Sequence, residues 1–75
     1  TPIEYKLLHL FMKHPNKTFH RDQLISLVWG TSVYIDDRTV DVHIRRLRDK
    51  LKQHNYDHII KTIRGTGYQF NSDDR

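Results

Sequence analysis

Apolar residues along this 75-residue chain follow two different periods, and the change between them divides the chain into elements. Ile3, Leu7, Leu8, Leu10 and Phe11 recur at helical spacing and form one broad face. Thr1 as cap, Pro2 at the first helical position and Glu4 three residues after the cap have the pattern of a capping box. Pro15 stops this helix at about His14. Asn16-Lys17-Thr18 reads as a loop, with Phe19 beginning the next element. A second, short helix is predicted over Arg21 to Trp29, with Leu24, Leu27 and Val28 inward and Gly30 at its C-terminal end. Gly30-Thr31-Ser32-Val33-Tyr34-Ile35-Asp36-Asp37 is a connecting loop, longer than the roughly 3–4 residues of a simple helix-turn-helix turn.

The third helix is predicted over residues 38–54, capped by Asp36 or Asp37 and stopped by Asn55. At about 100° per residue, Val40, Ile44, Leu47 and Leu51 fall on one narrow seam that faces a core. Arg38, Thr39, Val42, Arg45, Arg46 and Asp49 fall on the opposite side. That side carries no Glu or Lys and has a β-branched apolar residue at its centre. A merely solvated helix scatters Lys and Glu over such a face. A helix entering a DNA major groove uses Arg for phosphates and guanine edges, and small apolar groups for thymine methyls. Past Tyr56-Asp57 the period falls to 2, and residues 59–70 read as a β-hairpin, Gly65 and Gly67 supplying the positive-φ conformations of its turn. Residues 71–75 form a polar tail expected to fray. The expected architecture is mainly α with a C-terminal β-hairpin: three helices plus a wing, in the order of a winged helix-turn-helix.

Charge strengthens the picture because of where it lies. The net charge is +4, yet residues 38–64 hold eight Lys/Arg against three acids, while the remainder is slightly acidic. A basic footprint confined to about a third of the chain points to a polyanion partner. Cysteine is absent, which removes disulfides and thiolate metal sites and fits a cytoplasmic setting. No apolar run approaches the roughly 18 residues of a membrane span. His54 and His58 have i, i+4 spacing, but Asn55-Tyr56-Asp57 between them has the composition of a helix end, and no metal or cofactor site is expected. None of Ser26, Ser32 or Ser72 has the surroundings of an activated nucleophile, so no enzyme is expected.

Trp29-Gly30, the run Asp37-Arg38-Thr39-Val40-Asp41-Val42-His43-Ile44-Arg45-Arg46-Leu47-Arg48-Asp49-Lys50-Leu51, and Thr62-Ile63-Arg64-Gly65-Thr66-Gly67-Tyr68-Gln69-Phe70 together resemble the DNA-binding effector domain of OmpR/PhoB-type response regulators. The resemblance covers Thr1 to about Phe70. It implies base contacts by Thr39, Val42 and Arg46 in the major groove and by Arg64 in the adjacent minor groove. It implies phosphate contacts by Arg21, Trp29, Arg38, His43, Arg45, Arg48, Thr62 and Tyr68. The loop from Gly30 to Asp37 matches the one through which activators of this family touch the sigma subunit of RNA polymerase. Direct-repeat promoter sites bound by head-to-tail pairs are implied as well. The family's four-stranded N-terminal sheet and its receiver domain have no counterpart in this sequence, so residues 1–75 are expected to be a single domain cut short at its N-terminus. His20 stands where relatives often carry a Ser cap, at an expected cost of roughly 0.5–2 kcal/mol. The competing reading is a protein-interaction winged helix whose basic face meets acidic partners. Structured RNA is disfavoured, since a helix cannot read the deep, narrow major groove of the A-form.

Overall fold

A computed structural model of the chain describes residues 2–71. Helix α1 runs over Pro2–Lys13 and is followed by a short strand, β1, at Thr18–His20. Helix α2, Arg21–Leu24, continues into a π-helical turn at Ile25–Trp29. Helix α3 covers Asp37–Lys52, a 3₁₀ turn covers Asp57–Ile59, and strands β2 (Ile60–Ile63) and β3 (Gly67–Phe70) complete the chain. The sheet is three-stranded and antiparallel in the order β1-β3-β2. The predicted hairpin therefore gains a third strand, because Thr18, Phe19 and His20 pair with Gln69, Tyr68 and Gly67. Three residues are too few to display a period of 2, so the pattern marks only an element beginning at Phe19 and leaves Thr18 in the loop before it. Gln69 reinforces the pairing by donating through Nε2 to the Asn16 carbonyl at 2.9 Å and the Thr18 hydroxyl at 3.0 Å.

Helix boundaries follow local chemistry. The Asp36 carboxylate accepts from the Arg38 N–H at 2.9 Å, so α3 begins at Asp37, one residue earlier than expected. It ends at Lys52 and not at residue 54: Asn55 takes a left-handed φ of 65°, and the Tyr56 N–H returns to the Leu51 carbonyl at 2.9 Å. At α2 the Gln23 side chain accepts from the His20 N–H at 2.8 Å, closing the helix start from inside the first turn. The π turn corrects one expected core position. Its wider register leaves Leu27 61% exposed while Val28 is buried and Ile25 and Trp29 pack at the core's edge. Thr1, the expected cap of α1, lies outside the described residues, as do residues 72–75 of the expected tail.

Leu7 and Phe11 of α1, Phe19 of β1, Leu24 and Val28, the α3 residues Val40, Ile44 and Leu47, and Ile60 and Tyr68 of the wing form one buried cluster. Phe11 and Phe19 meet edge to face with centroids 5.9 Å apart. The two wing glycines have different jobs. Gly65 takes φ 73° in the turn, as predicted. Gly67 does not take a positive φ; it is needed because a Cβ there would lie 1.9 Å from the Phe19 carbonyl oxygen.

The wing is tied to α3 by polar contacts as well as burial. Arg48 donates through Nε and Nη2 to the Ile60 carbonyl at 3.1 and 2.7 Å, and through Nη2 to the Thr62 hydroxyl at 2.7 Å. Asp41 Oδ1 accepts from the Tyr68 hydroxyl of β3 at 2.6 Å and from Arg21 Nε of α2 at 2.7 Å. Partial burial opposes the charged form of Asp41, but the hydrogen bonds from Tyr68 and Arg21, with the Arg21 charge, outweigh it and hold the carboxyl below its ordinary value.

Two expectations follow. Gly67→Ala forces backbone apart and costs about 3 kcal/mol, whereas Gly65→Ala, in open space, costs about 1 kcal/mol of left-handed strain; urea unfolding of the two variants gives the ranking. Asp41→Ala costs about 1 kcal/mol at neutral pH, the 41% exposure of the side chain limiting the loss through screening. A carboxyl held low contributes fully above about pH 4 and loses its contribution as pH falls through the folded-state value. Thermal unfolding should accordingly show the gap between the native chain and Asp41→Ala closing below about pH 4.

Candidate nucleic-acid interface

Helix α3 has four differently employed sides, fixed by the burial of Val40, Ile44 and Leu47. Directly opposite that seam lie Arg38, Val42, Arg45, Arg46 and Asp49, all exposed, with Thr39 half-buried at the edge. Val42 is 46% exposed and makes no part of the core. Among the described residues, no hydrogen bond or ion pair engages the side chains of Arg38, Arg45, Arg46 or Arg64. Four guanidiniums are thus presented to solvent with their donors uncommitted. Arg64 stands in the exposed β2–β3 turn, where the Thr66 N–H returns to the Ile63 carbonyl at 3.0 Å. The 16 residues of α3 make a rod about 24 Å long and about 10–12 Å across, a cross-section that matches a groove about 12 Å wide.

The two flanks of α3 are inward-tied. On one, Asp41 and Arg48 face the wing through the contacts already described. On the other, His43 and Lys50 face α1. Lys50 Nζ donates to Glu4 Oε1 at 2.5 Å, and His43 Nδ1 lies 3.5 Å from Glu4 Oε2. Glu4 is only 2% exposed, so this carboxylate joins α1 to α3 from inside, a role beyond its place in the capping pattern. The hydrogen bond to Glu4, foremost among its surroundings, raises the Lys50 pKa. Trp29 packs edge to face against His43 with centroids 5.5 Å apart.

The expected site residues therefore separate into groups. Thr39, Val42, Arg46, Arg38 and Arg45 share one outward face, and Arg64 stands at the tip of the wing. Arg21 reaches the same rim from α2, its side chain 27% exposed and its Nε held by Asp41. Arg48, Tyr68 and Thr62 are instead joined to one another at the helix–wing junction. The Tyr68 ring lies 5.3 Å from the Arg21 guanidinium and 5.4 Å from that of Arg48. Burial first, then the hydrogen bond to Asp41, raises the Tyr68 pKa, and the residue is 5% exposed. His43, with a side chain 17% exposed, is turned towards Glu4. Sequence reasoning missed Asp41. Asp41 is one of three acids on α3, and nothing in their spacing distinguishes the one that meets Arg21 and Tyr68. The loop after Gly30 leaves Tyr34 91% and Val33 49% exposed, while Asp36 is spent as the cap of α3 and Asp37 is part of the helix. No helix among the described residues is long and apolar enough to cross a membrane, and no group of three or more metal-ligating side chains gathers among them.

The family model described as "Transcriptional regulatory protein, C terminal" matches residues 1–70. The phosphate regulon transcriptional regulatory protein PhoB of Klebsiella pneumoniae and that of Escherichia coli are each 56% identical over 71 residues. Those matches cover 95% of this chain and 31% of each relative, so the chain spans about a third of their length. The DNA-binding domain of the response regulator AdeR, solved in complex with an intercistronic region, superposes with a TM-score of 0.84 at 30% identity, covering 96% of this chain and 71% of that one. The RstA DNA-binding domain of Klebsiella pneumoniae, in complex with the RstA box, gives 0.79 at 33% identity, covering 95% and 71%. With the three-helix-and-wing fold, the outward arginine face and these matches in agreement, the chain belongs to the C-terminal DNA-binding domains of OmpR/PhoB-type response regulators.

Proposed function

We propose that this domain binds duplex DNA sequence-specifically to regulate transcription, as an activator, with α3 in the major groove and the β2–β3 turn in the adjacent minor groove. The observation that carries the reading is the outward face of α3: uncommitted guanidiniums of Arg38, Arg45 and Arg46 surrounding an exposed Val42. Phosphate neutralisation by Arg38, Arg45 and Arg21 supplies most of the affinity and makes it salt-dependent. Arg46 reads a guanine edge, Thr39 lies beside it, and Val42 packs against a thymine methyl. Arg64, on a glycine turn at the wing tip, suits the narrow, strongly negative minor groove. Arg48, Tyr68 and Thr62 serve mainly to hold the wing at its angle, with Trp29 and His43 lining the α1 side of the helix. The AdeR domain was solved in complex with an intercistronic region and the RstA domain in complex with the RstA box, which supports DNA binding here.

The exposed Val33-Tyr34 segment offers an apolar and aromatic contact beside the DNA face, which suits the sigma subunit of RNA polymerase. Binding to direct repeats as a head-to-tail pair follows the same reading. A domain of this kind works in the cytoplasm and needs no cofactor.

Two substitutions test the assignment of roles. Arg46→Ala should cost about 1–3 kcal/mol on a duplex recovered by selection from a random pool and relax the preference at one base pair. Equal losses on selected and scrambled duplexes would show that Arg46 does not read bases. Val42→Ala, at an exposed position, should leave the unfolding midpoint within experimental scatter yet erase the preference for one A·T pair in a repeated selection.

A further inference from the structure

Asp41 is an acid at the rim of the arginine face whose partners the DNA-binding reading does not use. It stands one helical turn from both Arg38 and Arg45, the natural i−3 and i+4 partners on its own helix. Neither is engaged. Its Oδ1 atom instead accepts two hydrogen bonds from elements distant in sequence: Arg21 Nε of α2 at 2.7 Å and the Tyr68 hydroxyl of β3 at 2.6 Å. A carboxylate 41% exposed at the rim of a polyanion-binding face repels the ligand, unless what it organises outweighs the repulsion.

The Arg21 bond is made through Nε, the guanidinium nitrogen nearest the chain. A guanidinium carries five N–H donors in a fixed planar fork, so a bond at Nε fixes the plane and leaves the terminal amino groups to act on another anion. The same fork stands 5.3 Å from the Tyr68 ring, which restricts it further. Tyr68, in turn, is anchored in β3 between β1 and β2. One carboxylate oxygen thereby couples α2, α3 and the wing.

We infer that Asp41 is a positioning residue for DNA binding: it aims the Arg21 guanidinium at a backbone phosphate and fixes the wing's angle to α3 through Tyr68. The inference rests on the DNA-binding reading and adds to it a specific sign. If Asp41 is only a charge on the rim, removing that charge tightens binding. If Asp41 positions Arg21, removing it loosens binding, although the domain becomes more positive.

The test measures the affinity of the 75-residue chain for a selected and a scrambled duplex over a range of salt concentrations. It uses the native chain, Asp41→Asn, Asp41→Glu, Arg21→Ala and the Arg21→Ala/Asp41→Asn pair, with folding of each verified by its thermal transition. Asp41→Asn should bind both duplexes about tenfold more weakly, with a salt slope shallower by about one, the loss of one phosphate contact. Asp41→Glu keeps the charge but displaces the carboxylate, and should also weaken binding. In the Arg21→Ala background Asp41 keeps only its Tyr68 bond, so Asp41→Asn should weaken binding by clearly less than it does in the native background; an undiminished loss there would show that Asp41 does not act through Arg21. Tighter binding by Asp41→Asn in the native background, or unchanged affinity in Asp41→Glu, would overturn the inference and leave DNA binding itself intact. A native chain with no salt-dependent affinity for either duplex would overturn the underlying reading as well.

Discussion

The rotation of α3 about its own axis is the constraint on which the rest depends. Val40, Ile44 and Leu47, at 0%, 1% and 4% exposure, press the seam against α1 and the sheet. Turning the helix by one residue's worth of arc would expose that seam and bury Asp41 or His43 in its place. Burying each such apolar side chain is worth about 1.5–3 kcal/mol, against fractions of a kcal/mol for an exposed ion pair. Packing therefore decides the phase, and the charged sides follow from it. The outward arginine face is a consequence of where the apolar seam must go.

With the phase fixed, the two flanks of α3 become struts. Glu4 receives Lys50 and faces His43 on the α1 side. Arg48 and Asp41 reach the wing on the other. The arginines of one short motif consequently divide between unlike tasks. Arg45 and Arg46 keep their donors for a ligand, while Arg48 spends three hydrogen bonds inside the protein. A wing held this way keeps Arg64 at a defined distance from α3, and so pre-orients the two elements proposed to meet adjacent grooves. Rigidity of this kind lowers the ordering cost of binding.

Much of this was legible in the sequence. The seam Val40–Ile44–Leu47–Leu51 and its opposite face follow from a period of 3.6, and the wing strands from a period of 2, because burial on one side imposes those periods. What escaped the pattern depends on contacts that no local window contains. The β1 strand has three residues and exists through its pairing with β3. Leu27 leaves the inward face that helical spacing predicts because a π turn shifts the phase within a single turn. The constraint on Gly67 is not the unusual φ that turn chemistry predicts but the Phe19 carbonyl beside it. The partners of Asp41, His43 and Arg48 lie 20, 39 and 12 residues away, beyond the reach of spacing arguments. Positions directly on or opposite the seam were readable, and positions on the flanks were not.

The central claim is that the outward face of α3 and the wing tip form one nucleic-acid surface. Amide and guanidinium chemical shifts of the isotopically labelled chain, followed during titration with a selected duplex, test it most directly. The largest changes should fall on Arg38, Thr39, Val42, Arg45 and Arg46, and on Arg64, with Arg21 at the margin, while the exposed face of α1 around Tyr5, His9 and Met12 stays unchanged. Changes concentrated on that α1 face, with the α3 face silent, would contradict it.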